Sequence, residues 1–444
     1  MTERFFIDNR RKLAARLEEG SAAVLFAGKA PLKRGDEYYP FSPDRNFYYV
    51  TGVERENCVF LMAKVAGGLQ ETLFIPRDNG ILAKWVGANM TAEEAEEISG
   101  MTDIRPIDAF ADDFAQMVFR NNITKIYLDL EHREWDDVLT PALRFAKELR
   151  EKYPAMAVGD LYPIFGDLRL IKEPYELEKM RKAMDITRMG VEAMMANARP
   201  GMMEYEIEAH FDFTLMQHGA REKAFQTIAA AGERGTILHY TKNNGKTKDG
   251  DLLLVDCGAQ VDWYNGDISR TFPVNGKFTE RQKLVYNIVL EGQQKVIDAI
   301  RPGQPFSRLN EILKEHYLEA LKEIGLVKTM ADVAKYYYHG VSHYLGAETH
   351  DIGRYTERVL QPGMVLTVEP GLYIEEWGIG IRIEDDALVT EDGCEIMTKD
   401  MIKTVEEIEA FMAKGKQARH LRKQICMSLS AAFWKKKGTG CRRK

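Results

Sequence analysis

GDLLLVDCG, residues 250–258, aligns without gaps on GMVLTVEPG, residues 363–371. Glycine meets glycine at both ends, Val255 meets Val368, and Asp256 meets Glu369. Each copy reads as a short apolar strand that ends in a carboxylate followed by X-Gly. Each is followed by a second strand carrying another acid: Asp267 in NGDISRTF and Glu384 in GIRIEDDAL. A second echo supports the repeat, because ARPG (198–201) and IRPG (300–303) each close one helical pattern and precede another. Two such halves packed about a pseudo-two-fold axis would direct four carboxylates to one centre.

A carboxylate at the end of a run such as Leu252-Leu253-Leu254-Val255 is expected to be buried, and a buried acid must be neutralised, hydrogen-bonded or coordinated. A single Asp-X-Gly reads as a turn or cap. Two aligned copies with partner acids read differently. Four acids in a dry cradle repel and raise one another's pKa, and two divalent cations would cancel them. The segment YYYHGVSHYLGAETHDIG (336–353) holds three of the nine histidines. One imidazole added to carboxylates suits manganese, cobalt or zinc. The others are left for substrate.

Outward from this repeat, 444 residues are too many for one ordinary core, and two domains are expected. Before residue 165, helical patterns (10–19, 92–99, 142–151) alternate with β-type runs. Those runs are AAVLFAG (22–28), NFYYVTG (46–52), CVFLMA (58–63), ETLFI (71–75) and KIYLDL (125–130), and they predict a small α/β domain. Residues 168–195 then predict a long helix, with Pro174 in its first turn and Leu177, Met180, Met184, Val191 and Met194 as core positions. Five scattered cysteines without a CxxC pair argue against a disulfide framework or a thiolate zinc site, and fit a reducing, cytoplasmic compartment. No apolar stretch is long enough to span a bilayer. The net charge is −7, yet residues 414–444 carry eleven Lys/Arg and no acid, which leaves −18 on residues 1–413. An acidic body is a poor nucleic-acid binder but a suitable holder of cations. The basic segment is expected to be a disordered tail.

From about residue 168 to 411 the chain resembles the metallopeptidase family with the pita-bread fold, in its Xaa-Pro branch of aminopeptidase P and prolidase. The blocks that carry the resemblance are ILHYTKNN (237–244), LLLVDCGAQVDWYNGDISRTFPV (252–274), HGVSHYLGAETHDIG (339–353), VLTVEPGLYI (365–374) and GIGIRIEDD (378–386). PDRNFYYVTGVE (43–54) and LAKWVGANMTAEEA (82–95) resemble that branch's smaller domain. The resemblance implies an α/β (α+β) protein with an N-terminal creatinase/aminopeptidase P-like domain over 1–165, a pita-bread catalytic domain over 166–413 and the tail over 414–444. It implies two divalent ions, manganese first, with cobalt or zinc as alternatives, held by Asp256, Asp267, His343, Glu369 and Glu384. It further implies that Glu369 shuttles a proton, that His239 and His350 contact the carbonyl oxygen and the tetrahedral intermediate, and that His339 lines a proline pocket. Arg382, Tyr373 and Trp85 match further substrate-side positions, the tryptophan being offered by a neighbouring subunit in a homodimer or homotetramer. The implied substrates are peptides with proline at the second position. The alternatives are a dipeptidase of the prolidase type, a metal-free C–N hydrolase of the creatinase type, and a non-catalytic binding protein; the last two lack the ligand set that all five matching residues supply here. His132, His210, His218, His316 and His420 are expected at the surface or as caps.

Overall fold

Short apolar runs in the first 170 positions build a six-stranded mixed sheet, beside a two-stranded hairpin of Leu32–Arg34 and Glu37–Tyr38. Its six strands run in the order Ile104–Pro106, Gly68–Ile75, Val59–Val65, Ser21–Phe26, Lys125–Leu128 and Ala157–Asp160. The three central strands pair antiparallel, and the outer pairings are parallel. Val24, Leu61, Phe74, Ile126 and Leu128 form its core with Phe114 of helix Phe110–Asn121 and Leu149 of helix Pro141–Lys152. The structure is a computed structural model that describes residues 2–355 and 358–415. It divides into two units, Met1–Leu170 and Ile171–Lys444, past the helix Tyr162–Leu168.

One expected strand is a helix. NFYYVTG lies in Arg45–Thr51, where Asp44 caps the first turn by accepting from Phe47 N and Gly52 (φ 71°) ends the last turn. Six of its seven residues are buried, so aromatic and β-branched side chains satisfy a helix packed on every side. The cap and the glycine outweigh the strand-like composition. The first helix also differs: it spans Thr2–Arg16, earlier than the 10–19 expected.

In the second unit, helix Pro174–Asn197 begins at the expected proline and buries Met180, Met184, Val191 and Met194, while Leu177 is half-buried. ARPG joins it to helix Glu204–Gln217, and IRPG joins helix Glu280–Ala299 to helix Phe306–Glu323. The aligned nonapeptides become strands at matching positions, Leu252–Cys257 and Val365–Val368. The first is the middle of a three-stranded sheet between Ile228–Ala231 and Ile268–Pro273. The second lies at the edge of a sheet whose middle strand is Asp385–Val389. Asp267 stands immediately before strand Ile268–Pro273, and Glu384 immediately before Asp385–Val389. Direct bonds knit the halves: Glu384 N donates to Ser269 O (3.0 Å) and Asp267 N to Asp386 Oδ2 (3.2 Å). Both second acids therefore reach the same seam. Among the described residues, no helix is long and apolar enough to cross a membrane. The expected basic tail, from residue 416 on, lies outside the described residues, as does His420.

Candidate metal centre and active site

Asp256 occupies the next-to-last position of its strand, opposite Ser269, so its side chain shares a face with Leu254 and leaves Cys257 on the other. Cys257 is fully buried, and burial pushes its thiol pKa well up, which makes it an inert packing residue. Glu369 follows strand Val365–Val368, and the segment carrying His343 is laid against that strand. Glu369 N donates to Val341 O (2.9 Å), Thr367 N to His343 O (2.9 Å), and Tyr344 bridges Leu366. A histidine that sequence separates from both repeats is thereby placed between them. Its Nε2 lies 3.5 Å from Asp267 Oδ2 and 3.5 Å from Glu369 Oε1. Ligand atoms of Asp267, His343 and Glu384 all lie within 4.8 Å of one another.

The protonation states suit a cation. Nδ1 of His343 lies 3.0 Å from the Tyr344 carbonyl, which only accepts, so Nδ1 carries the proton and Nε2 presents its lone pair to the acids. Burial, reinforced by neighbouring His350, lowers the His343 pKa to about 4 and keeps the ring neutral. Burial and the charges of Glu384 and Asp256 push Asp267 well above the usual carboxylate range; burial, Glu369 and Asp256 do the same to Glu384. Burial raises Glu369 to about 8, with Asp256 adding to it against the opposing Arg382. Asp256 Oδ1 is buried with no hydrogen-bond partner. Four crowded acids, an orphaned carboxylate oxygen and an imidazole lone pair form a donor set that fits divalent metal ions.

This crowding has a pH signature. Glu369 releases its proton near 4.5 in the unfolded chain and near 8 in the fold, so between those values the folded state binds more protons. Rising pH then favours unfolding. His343 and His339, lowered to about 4, act in the opposite sense below about pH 6.5, so the melting temperature of chelator-treated protein is expected to fall from about pH 6.5 to about pH 8, while that of metal-loaded protein does not fall. Thermal melts across that range check it; a chelated protein that becomes more stable with rising pH would contradict the burial of uncompensated acids.

Beside the acids runs a wall built on Arg382. Its Nη2 donates to Asp256 Oδ2 (2.6 Å), Nη1 to the Tyr373 hydroxyl (2.9 Å) and Nε to Ser269 Oγ (2.8 Å). Ser269 Oγ donates onward to Glu384 Oε2 (2.7 Å). The hairpin of Gly371–Ile374 and Ile379–Arg382 sets this up by pairing Gly371 with Arg382. A Cβ on Gly371 would sit 2.5 Å from the Tyr373 hydroxyl, so only glycine leaves that oxygen room. Tyr373 also meets His339 Nε2 (2.9 Å), while His339 Nδ1 faces the Gly340 carbonyl (2.6 Å). Burial, then Arg382, lowers the His339 pKa to about 4, so this ring is neutral too. Tyr337 packs against it at 4.9 Å between ring centroids.

The family pattern of metallopeptidase family M24 matches residues 178–391, and that of the aminopeptidase P N-terminal domain matches residues 6–127. The Xaa-Pro aminopeptidase of Escherichia coli K12 is 35% identical over 434 residues, covering 93% of this chain and 98% of that protein. The chain belongs to metallopeptidase family M24. Among solved structures, a Bacillus anthracis protein assigned to aminopeptidase P superposes with a TM-score of 0.92 at 47% identity, covering 94% of this chain and 99% of that one. Escherichia coli aminopeptidase P with the inhibitor Pro-Leu gives 0.86 at 33% identity with the same coverage, and a zinc-substituted form of that enzyme matches equally.

In this M24 peptidase, nine of the residues singled out from sequence converge. Asp256, Asp267, His343, Glu369 and Glu384 share the centre with Arg382, Tyr373 and His339, and exposed His350 meets His343 edge-on with ring centroids 4.3 Å apart. His239 is exposed and is among the groups that lower the His339 pKa. Trp85 lies in the N-terminal unit, 84% exposed on the short helix Ala83–Val86. Other residues of this M24 peptidase escaped the sequence reading. Ser269 links Arg382 to Glu384, and fully buried Arg270 meets Asp385 at 2.7 Å. Lys172 and Asp351 form a buried pair at 2.9 Å that anchors the residue after His350. Lys172 directly after the apolar pair Leu170-Ile171 is the local signal. His316 corrects an expectation: rather than lying at the surface, it is buried between the Ile288 carbonyl (2.8 Å) and Lys295 Nζ (3.1 Å).

Proposed function

We propose that this M24 metallopeptidase is an Xaa-Pro aminopeptidase that releases the N-terminal residue from peptides with proline at the second position. The observation that carries the reading is the juxtaposition of the acid cluster with the neutral aromatic wall of His339, Tyr337 and Tyr373. Asp256, Asp267, His343, Glu369 and Glu384 would hold two divalent ions, manganese by preference. Such ions polarise a carbonyl and lower the pKa of water towards neutrality.

The chain's own residues supply the rest. A free α-amine is a cation and meets the acidic cluster. An Xaa-Pro bond has no amide N–H, so the proline is gripped by its ring against His339 and Tyr373. Glu369, half-buried and with a pKa raised by burial, is suited to take a proton and return it to the departing proline nitrogen. His350 and His239, both exposed, would donate to the carbonyl oxygen as its charge develops. Trp85, exposed, would close the mouth of a neighbouring copy's site in a homodimer or homotetramer. We further propose domains at 1–165 and 166–413 with a basic extension at 414–444, and a cytoplasmic location.

A dipeptidase would need a cation to clamp the free carboxylate just past the scissile bond, and the candidates are Arg354, exposed directly after HDIG, and Arg382. Each of the three Arg382 nitrogens is already engaged by Asp256, Tyr373 or Ser269, which favours the aminopeptidase. Ala-Pro-Ala-Ala is therefore expected to be cleaved after alanine at least as fast as the dipeptide Ala-Pro, judged by kcat/KM with chromatographic product analysis. Rapid cleavage of Ala-Pro beside an inert tetrapeptide would make the chain a dipeptidase.

A further inference from the structure

His239 stands on a long connection between strand Ile228–Ala231 and strand Leu252–Cys257, and its own ring is exposed. What fixes its place is a residue far earlier in the chain. Glu204, in the first turn of helix Glu204–Gln217, is completely buried. Its Oε1 accepts from Ala231 N (2.8 Å) and Arg234 Nε (2.7 Å). Its Oε2 accepts from the Tyr240 hydroxyl (2.9 Å) and Gly245 N (2.6 Å). Glu204 N in turn donates to Gly245 O (2.9 Å). Four donors on two oxygens satisfy the carboxylate, and they come from both ends of the segment and from the residue after His239.

The rest of the segment leaves little slack. A Cβ on Gly245 would lie 2.3 Å from the Arg234 guanidinium, so the closure at Glu204 is tight. Asn243 adds a second tie with a left-handed backbone (φ 44°): its Oδ1 accepts from Ala229 N (3.0 Å) and its Nδ2 donates to Thr227 O (2.8 Å). A buried charged acceptor that gathers four donors is expensive to disturb, and its geometry passes directly to Tyr240 and so to His239.

We propose that Glu204 is a positioning residue for catalysis: its carboxylate holds the 231–245 segment so that His239 meets the substrate carbonyl. This rests on the reading of His239 as a substrate contact. Glu204 acts through the segment that carries His239, since it bonds backbone and side-chain groups on either side of His239 and not its ring.

The test is a double-mutant cycle in the metal-loaded full chain with Ala-Pro-Ala-Ala as substrate. Glu204→Gln exchanges one acceptor oxygen for a donor, and is expected to lower kcat about 30-fold while KM stays within about threefold and metal content is unchanged. In a His239→Ala background the same change is expected to cost no more than about threefold further, because residues acting as a unit are not additive. Losses that multiply in the double variant, or a folded Glu204→Gln enzyme with full kcat, would overturn the proposal. Should Glu204→Gln fail to fold, Tyr240→Phe decides: it removes one donor, is expected to lower kcat about fivefold with His239 present and not at all without it, and full kcat would overturn the proposal. Full kcat in His239→Ala alone would instead overturn the role of His239 itself, a distinct result.

Discussion

His343→Ala is expected to lose at least half of the bound metal and to lower kcat/KM by about 1,000-fold, whereas His350→Ala keeps its metal and loses about 100-fold in kcat. The two rings sit 4.3 Å apart, yet their surroundings differ. His343 is half-buried, with its protonated Nδ1 fixed on Tyr344 O, and aims Nε2 at Asp267 and Glu369. Removing it takes one neutral donor out of a set whose other members are crowded acids. His350 is exposed, so its loss should leave the acids and the His343 ring in place and remove only its part in lowering the His343 pKa. Elemental analysis per chain beside steady-state kinetics separates the outcomes. Equal metal loss in both variants would show that the roles have been divided wrongly.

Arg382→Met is expected to cost about 3–5 kcal/mol of stability, the usual penalty for leaving a buried charge without its partner. Arg382 is 4% exposed and serves Asp256, Tyr373 and Ser269 at once. Methionine fills the space and supplies none of the five N–H groups. Arg382→Lys retains a charge as a point donor on a flexible stem, so it should recover one of the three contacts and only part of the stability. Thermal unfolding of the metal-loaded variants measures this, and a drop of roughly 5–15 °C is expected for the methionine variant. A melting temperature within about 2 °C of the parent would mean that the bound ions, and not Arg382, offset Asp256.

The parts legible in the sequence were those written in local pattern. An apolar run ending in Asp256 or Glu369 predicts a strand with an acid at its buried end, and the repeat of that pattern locates the seam. Pro174 announces its helix for an equally local reason. NFYYVTG misled because composition favours a strand while Asp44 and Gly52, the residues that cap the helix, lie outside or at the edge of the run. The supports of the site stayed hidden for another reason. Lys172 and Asp351, Arg270 and Asp385, and Glu204 with Tyr240 are pairs set by topology, and each residue alone reads as an ordinary solvated charge or core aromatic. His316 was misplaced in the same way, since nothing in its own helix announces Ile288 and Lys295 as neighbours.

The most direct test of a dinuclear Xaa-Pro aminopeptidase is a metal titration of chelator-stripped protein, followed by hydrolysis of Ala-Pro-Ala-Ala. Cleavage between alanine and proline should be absent in the stripped protein and should return with manganese or cobalt as binding approaches two ions per chain. Full cleavage by protein shown by elemental analysis to be free of metal would contradict it.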